Sequence, residues 1–120
     1  HEIEAYQEIY EKQFPNTCFD KSMLEKPRQY HFILILEKKI LAIAHGEIIN
    51  DQEALLYYLI TTKEIENQGF DSWLLSSIER WLILQIKQTL LIPYQPTDVS
   101  FFITQGFHPK ENSSVLEKKL

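Results

Sequence analysis

The chain has 120 residues, of which 44% are hydrophobic and 24% charged, as expected for one globular domain over residues 1–120 with a single core. A formal net charge of −5 without a Lys/Arg cluster argues against nucleic acid or an anionic membrane as a partner and favours a cationic ligand such as an amine. The single cysteine excludes an internal disulfide, and no apolar run approaches the roughly 20 residues of a membrane helix. We therefore expect a cytoplasmic protein.

Two helical segments are predicted before the first strand. Apolar residues at helical spacing predict a helix over residues 2–13, which Pro15 ends. A short second helix is predicted over residues 20–26, which the next proline ends.

Three strands are predicted next, over residues 31–36, 40–49 and 55–61. The polar connections between them are short, which indicates an antiparallel meander. Gly46 lies inside the second strand and predicts a β-bulge or a close approach of another backbone.

The second half of the chain alternates between helix and strand. Its predicted elements are a long helix over 72–88, a short strand over 90–92, a short helix from Thr97 or Asp98 to Gln105 that Gly106 ends in the left-handed conformation, and two extended pieces between 107 and 120. On the long helix, the spacing places Ile86 in the apolar stripe and predicts that Trp73 packs in the core. A helix between the third and fourth strands makes that pair parallel, while the other pairs are antiparallel. The predicted fold class is therefore α/β (α+β), with a mixed, mostly antiparallel sheet flanked by helices.

The junction between the third strand and the long helix is the first candidate site. A polar turn around Gly69 leads directly into the helix, and the unpaired N–H groups of a helix N-terminus suit a phosphate. Glu66 and Asp71 flank this turn, and their carboxylates would repel a bound phosphate. Each pair of like unit charges near 4 Å is unfavourable by about 1 kcal/mol in water. The alternative is that Gly69 only turns the chain and Asp71 only caps the helix.

These features together resemble the GCN5-related N-acetyltransferase (GNAT) family over nearly the whole chain. The family's acyl-CoA loop reads Arg/Gln-x-x-Gly-x-Gly/Ala, and residues 66–71 here read ENQGFD. The family's Phe-Tyr-x-x-x-Gly-Phe motif is similar to residues 101–107, FFITQGF, and residues 116–120 are similar to its final strand. The family's first strand has no counterpart in this sequence.

The resemblance implies acetyl-CoA as co-substrate, direct attack by a primary amine of a small molecule or peptide in a ternary complex, and a homodimer as in many members. It implies a cofactor cleft at the parallel strand pair. The residues that match the family's cofactor-binding positions are Leu59, Ile60 and Thr61 for the acyl-pantetheine arm, Gln68, Gly69, Phe70, Asp71 and Ser72 for the pyrophosphate, and Phe102 beside them.

Two residues are the candidates for proton transfer. Glu47 lies two residues after His45 on the same side of a strand and is the candidate base; the alternative is an exposed or structural carboxylate. Phe102 stands where many family members have a tyrosine acid, so Tyr94 is the candidate acid, with Tyr57 and Tyr58 as alternatives. The histidines and the cysteine lack metal-ligand spacing, so no metal is expected.

A second interpretation competes with the enzyme. Glu66, Asp71 and Phe102 depart from the family pattern, and the first strand is missing from the sequence. These departures favour a degenerate acetyltransferase-like domain that binds a ligand or a protein without catalysis.

Overall fold

The computed structural model describes residues 2–93, 99–111 and 113–120. Its α-helices are α1 (Glu2–Gln13), α2 (Phe70–Leu84) and α3 (Val99–Thr104), and two short 3-10 helices span Lys21–Glu25 and Lys63–Ile65. Its strands are β1 (Gln29–Leu36), β2 (Lys39–Ile48), β3 (Glu53–Thr61), β4 (Thr89–Ile92), β5 (His108–Pro109) and β6 (Leu116–Lys119).

The six strands form one mixed sheet in the order β1-β2-β3-β4-β6-β5. Residues Glu53–Leu55 of β3 pair in parallel with Thr89–Leu91 of β4. The other described pairs are antiparallel. This confirms the predicted mixed sheet with one parallel pair, which forms because α2 carries the chain back between β3 and β4.

Each face of the sheet has its own apolar cluster. On one face, four buried residues of α2 pack with the sheet and with α3: Leu74, Leu75, Ile78 and Leu82. On the other face, Tyr6 of α1 packs on Ile40, Ile43 and Ile60. A fully buried Leu or Ile stabilises the fold by roughly 1.5–3 kcal/mol, so the two clusters fix the helices on opposite sides of the strands.

Gly46 confirms both features that the sequence predicts there. The β2–β3 register shifts between His45 and Gly46. A Cβ atom at Gly46 would overlap the carbonyl oxygen of Leu55 and the ring of Tyr30. The Tyr30 hydroxyl crosses this position and donates to the Leu55 carbonyl at 2.6 Å, so only glycine leaves room for it.

Helix α2 ends earlier than the sequence predicts. The Ile86 N–H donates to the Ile83 carbonyl and the Lys87 N–H to the Leu82 carbonyl, both at 2.9 Å, with Ile86 in the left-handed region at φ 63°. This is a Schellman motif, which stops the helix. Ile86 is therefore 78% exposed, and its predicted place in the apolar stripe of α2 is wrong.

Two further differences concern packing and boundaries. Trp73, predicted to pack in the core, is 57% exposed, because it lies on the outer side of the first turn of α2. The predicted second helix is a 3-10 turn whose cap is Asp20, with Oδ1 accepting from the Ser22 N–H at 3.0 Å. The predicted cap of α3 at Thr97 or Asp98 lies outside the described residues. In the described part of the chain, no helix is long and apolar enough to cross a bilayer.

Candidate active site in the opening between β3 and β4

The parallel strands β3 and β4 separate soon after they pair. Their residue pairs end at Leu55 and Leu91, yet β3 continues to Thr61. Within residues 2–93, 99–111 and 113–120, the part of β3 from Leu56 onward therefore has no β4 neighbour. A cavity of about 670 Å³ fills this opening, bounded by α1, β2, β3, β4, the loop before α2, and α3.

Every second residue of β3 directs its main-chain N–H and C=O groups toward this cavity. The Thr62 N–H donates to the Leu41 carbonyl of β2 at 2.9 Å. The N–H and C=O groups of successive residues point to opposite sides along a strand. The main-chain groups of Ile60 therefore also point toward β2, while those of Leu59 and Thr61 point toward the opening. Of the predicted pantetheine-binding residues, these two present main-chain groups to the cavity.

The loop before α2 is turned by two left-handed residues, Asn67 at φ 64° and Gly69 at φ 84°. A Cβ atom at Gly69 would meet no atom of the described residues within 4 Å. Gly69 is therefore needed for its backbone conformation, and the space beside it is open.

The N-terminus of α2 is partly occupied by its own side chains. Oδ1 of Asp71 accepts from the Ser72 N–H at 2.7 Å, and the Ser72 hydroxyl donates to Oε1 of Gln105 at 3.0 Å. Gln68 donates through Nε2 to the Glu64 carbonyl at 3.1 Å. A phosphate at this position would have to compete with Asp71 for the Ser72 N–H.

The charge of the cavity lining is negative. Glu66 and Asp71 belong to the lining, while no lysine or arginine occurs among its described residues. An anion on this side of the cavity meets two carboxylates, and a cation is attracted.

A chain of hydrogen bonds lies on the α1 side of the sheet. Nε2 of His45 lies 2.6 Å from Oε1 of Gln29, and the Gln29 side chain also bonds to Glu47. The Tyr57 hydroxyl donates to Oε1 of Glu47 at 2.6 Å. His45 and Tyr57 line the cavity and Glu47 does not. These hydrogen bonds therefore connect the cavity with Glu47, which lies outside its lining.

The β2–β3 bulge assembles the rings around His45. His45 pairs with Tyr58 and Gly46 with Leu56, so Tyr57 is the extra residue. Both tyrosine rings consequently contact His45, with centroids 5.2 and 5.6 Å away. The ring of His31 stacks on His45 at 4.3 Å.

In this hydrogen-bonded group of side chains, His45 and Glu47 both have lowered pKa values, but for different reasons. Burial, followed by the neighbouring His31, lowers the pKa of His45 to about 4, and Glu47 opposes this shift. The hydrogen bond from Tyr57, followed by that from Gln29, lowers the pKa of Glu47. At neutral pH His45 is therefore neutral and Glu47 is ionised.

The remaining predicted residues are placed as follows. Phe102 of α3 is buried, lines the cavity and packs on Phe101 and Phe107 with ring centroids at 5.0 and 5.5 Å. Tyr94, the candidate acid, lies outside the described residues. No group of three or more His, Cys, Asp or Glu side chains in the described ranges is arranged for a metal ion.

Several lining residues were not identified from the sequence. Tyr10, Phe14 and Met23 come from α1 and the segment after it and were not named individually as site residues, whereas His45 was named together with Glu47 as a possible base. Gln29, which connects His45 with Glu47, was also missed. The sequence carries no spacing signal for this set, because α1, β1 and β3 converge only in the folded chain.

Comparison with solved structures identifies the fold. The chain matches GCN5 of Tetrahymena with a TM-score of 0.77 at 14% identity, covering 96% of this chain and 84% of that one. It matches aminoglycoside 6'-N-acetyltransferase of Enterococcus faecium with a TM-score of 0.80 at 8% identity, covering 97% and 89%. It matches the PaiA N-acetyltransferase of Thermoplasma acidophilum, solved in complex with coenzyme A, with a TM-score of 0.73 at 14% identity, covering 98% and 90%.

These neighbours establish the GNAT acetyltransferase fold for this chain, as the sequence motifs predict. At such identities the likeness concerns the fold alone. Neither a protein-family model nor a curated protein sequence matches the chain.

Proposed function

We propose that this protein is an N-acetyltransferase that transfers an acetyl group from acetyl-CoA to a primary amine of a small molecule or peptide. The observation that carries the proposal is the opening between β3 and β4, where Leu59 and Thr61 direct main-chain groups into a cavity of about 670 Å³. The fold neighbour solved with coenzyme A supports the choice of acyl donor.

The donor would lie along β3 with its pyrophosphate at the start of α2. The exposed main-chain groups of Leu59 and Thr61 would bind the acyl-pantetheine arm. Ile60 lies between them and would hold this part of β3 against β2. The pyrophosphate would occupy the open space beside Gly69, near the N–H groups of the first turn of α2. The residues of this second group are Gln68, Gly69, Phe70, Asp71 and Ser72, and Phe102 would close the cleft from α3.

The reaction is a direct acyl transfer. The neutral amine attacks the thioester carbon, and a strand N–H stabilises the oxyanion that forms. The intermediate then collapses, the C–S bond breaks, the CoA thiolate leaves and takes up a proton, and the amine nitrogen loses one. We assign the proton that the amine loses to Glu47, which it reaches through the Tyr57 hydroxyl; this hydroxyl lies 2.6 Å from Oε1 of Glu47. Tyr94 is the proposed donor to the thiolate.

One observation favours the alternative of a non-catalytic binding module. Asp71 already occupies the Ser72 N–H, and Glu66 adds a second carboxylate to the lining. Both oppose a pyrophosphate by charge. A chain that has lost coenzyme A binding would keep this fold and lose the activity.

Titration of acetyl-CoA by calorimetry, with thermal unfolding in parallel, tests the proposal. A ligand at 100 times its dissociation constant stabilises the folded state by about 2.7 kcal/mol, which raises the melting temperature by several degrees. Micromolar binding supports the enzyme, whereas no binding at millimolar acetyl-CoA would reject it.

A double variant separates the two interpretations. In an active enzyme the parent already binds acetyl-CoA, and Glu66→Arg with Asp71→Gly adds only the affinity that the lost charge repulsion implies. In a degenerate module the same change creates or greatly increases binding. Asp51→Asn controls for the loss of a surface negative charge, because Asp51 is exposed and lies outside the cavity.

A further inference from the structure

The α1 side of the cavity differs in chemistry from the side that would hold the donor. We propose that it is an acceptor subsite for a primary amine carried on an apolar, ring-bearing body, with the amine nitrogen bound by Nδ1 of His45. This assignment rests on the proposed acetyltransferase function and specifies its substrate class.

The wall of this subsite is aromatic. Tyr10, Phe14 and Tyr58 line the cavity and form one half-buried group, with ring centroids 5.0, 5.4 and 5.9 Å apart. Met23 adds a flexible apolar side chain from the 3-10 helix. Such rings bind an apolar or aromatic body by excluding water from both surfaces, and their faces also attract an arriving ammonium group.

The charges of the cavity lie elsewhere. Its described carboxylates, Glu66 and Asp71, come from the loop before α2 and from the start of α2, and α2 packs on the opposite face of the sheet. The described α1-side lining offers Gln13 and tyrosine hydroxyls as polar groups. Among the described residues of this wall, a polycation such as a polyamine would therefore find no ionic partner for its additional charges, whereas a monoamine needs none.

The hydrogen-bond chain fixes which nitrogen of His45 accepts. Oε1 of Gln29 is an amide oxygen and can only accept, so Nε2 of His45, 2.6 Å away, donates to it. Nε2 then carries the proton and Nδ1 has a free lone pair. Nδ1 makes no hydrogen bond with any residue that the structure describes, and His45 lines the cavity.

The surroundings keep this acceptor neutral. The groups that face His45 are His31 from β1, Glu47 from β2, and Tyr57 and Tyr58 from β3. The Tyr58 hydroxyl is hydrogen-bonded to Tyr6 of α1 at 2.7 Å. A neutral Nδ1 accepts one N–H of the amine and leaves the nitrogen lone pair for the thioester carbon, so His45 acts by orienting the nucleophile.

Turnover of three amines tests the subsite. The probes are 2-phenylethylamine, n-butylamine and spermidine, compared by kcat/KM after acetyl-CoA binding has been measured. We expect 2-phenylethylamine to exceed n-butylamine by about tenfold or more, since a buried ring adds apolar contact. Phe14→Ala should abolish most of this preference. Ile3→Ala should keep it, because Ile3 belongs to α1 but does not line the cavity. A preference for spermidine or n-butylamine would overturn the inference and leave the acetyltransferase proposal standing.

A second measurement does not depend on turnover. Nitrogen NMR of the histidine side chains reports the tautomer of His45 and its response to 2-phenylethylamine. We expect a protonated Nε2, and a shift of the Nδ1 resonance that saturates on addition of the amine and is lost in Phe14→Ala. If acetyl-CoA does not bind but this response appears, the acetyltransferase proposal fails while the amine site remains. A protonated Nδ1, or no response to the amine, rejects the subsite.

Discussion

Nε2 of His45 and Oε1 of Gln29 lie 2.6 Å apart between neighbouring strands β1 and β2. Gln29 holds the histidine in one tautomer because its amide oxygen can only accept a hydrogen bond, and its side chain also interacts with Glu47. A neutral imidazole, an amide and a carboxylate thus form one connected group beside the cavity, and His45 belongs to both the fold and the candidate site. Its protonation should consequently be visible in the stability of the fold.

We expect the stability to fall as the pH decreases from about 6.5 to about 4. The pKa of His45 is about 4 in the folded state and about 6.5 when unfolded, so the unfolded chain binds more protons in this window. Stability therefore rises with pH there, by about 2–3 kcal/mol from this group. Urea unfolding at pH 7.5 and pH 5.0 measures it. His45→Gln should reduce the difference between the two pH values, and an unchanged difference would contradict the lowered pKa.

Substitution of Glu47 should lower the rate without lowering donor affinity. In Glu47→Gln the Tyr57 hydroxyl loses an ionised acceptor, so we expect kcat to fall by about 100-fold or more. Acetyl-CoA binding by calorimetry should stay unchanged, because Glu47 does not line the cavity. Glu4→Gln, on the exposed part of α1, is the control. A kcat like that of the parent would exclude Glu47 as the base.

Gly46 and Gly69 should respond differently to alanine. At Gly46 a Cβ overlaps the Leu55 carbonyl and the Tyr30 ring, so Gly46→Ala should destabilise by about 2–4 kcal/mol. At Gly69 the Cβ position is open and only the left-handed backbone opposes alanine, at about 1–2 kcal/mol. Chemical denaturation of both variants measures the difference. An equal or smaller effect at Gly46 would show that the Tyr30 ring moves aside.

Replacing Ile86 should stabilise the protein. Ile86 is β-branched, has a left-handed backbone at φ 63° and is 78% exposed, so Ile86→Gly removes strain and loses little packing. We expect a gain of about 1 kcal/mol in the free energy of unfolding. Ile83→Gly is the matched comparison, because Ile83 is also exposed but lies inside α2, where glycine destabilises by about 1 kcal/mol. A loss of stability in Ile86→Gly would argue against the Schellman end.

Substitution of Asp71 tests the competition at the start of α2. Asp71→Asn removes one negative charge beside the proposed pyrophosphate and weakens the bond to the Ser72 N–H. We expect acetyl-CoA to bind about three- to tenfold more tightly, as the loss of one nearby unit-charge repulsion of about 1 kcal/mol implies. Calorimetry at low and high salt measures this effect, which should shrink as salt screens the charges. Weaker binding in Asp71→Asn would instead make the carboxylate part of the cofactor site.

Much of the fold could be predicted because local patterns and tertiary packing agree. The alternating and continuous apolar runs predict β1, β2 and β3, and Gly46 predicts the bulge. The end of α2 was misjudged because Ile86 fits the helical spacing, while the hydrogen bonds that stop the helix depend on local backbone geometry. Trp73 was misplaced for a related reason, since a helix buries only the side that meets the sheet.

The sequence by itself determined the order of elements, the parallel pair and the acidic loop before α2, since these depend on periodicity, turn residues and charge along the chain. Only the tertiary structure decided that β3 and β4 separate after Leu55 and that Leu59 and Thr61 face the opening. It also decided that Gln29 bonds to His45 and that the bulge places Tyr57 and Tyr58 on the same ring. These contacts join residues far apart in the sequence, and only strand register and the curvature of the sheet bring them together.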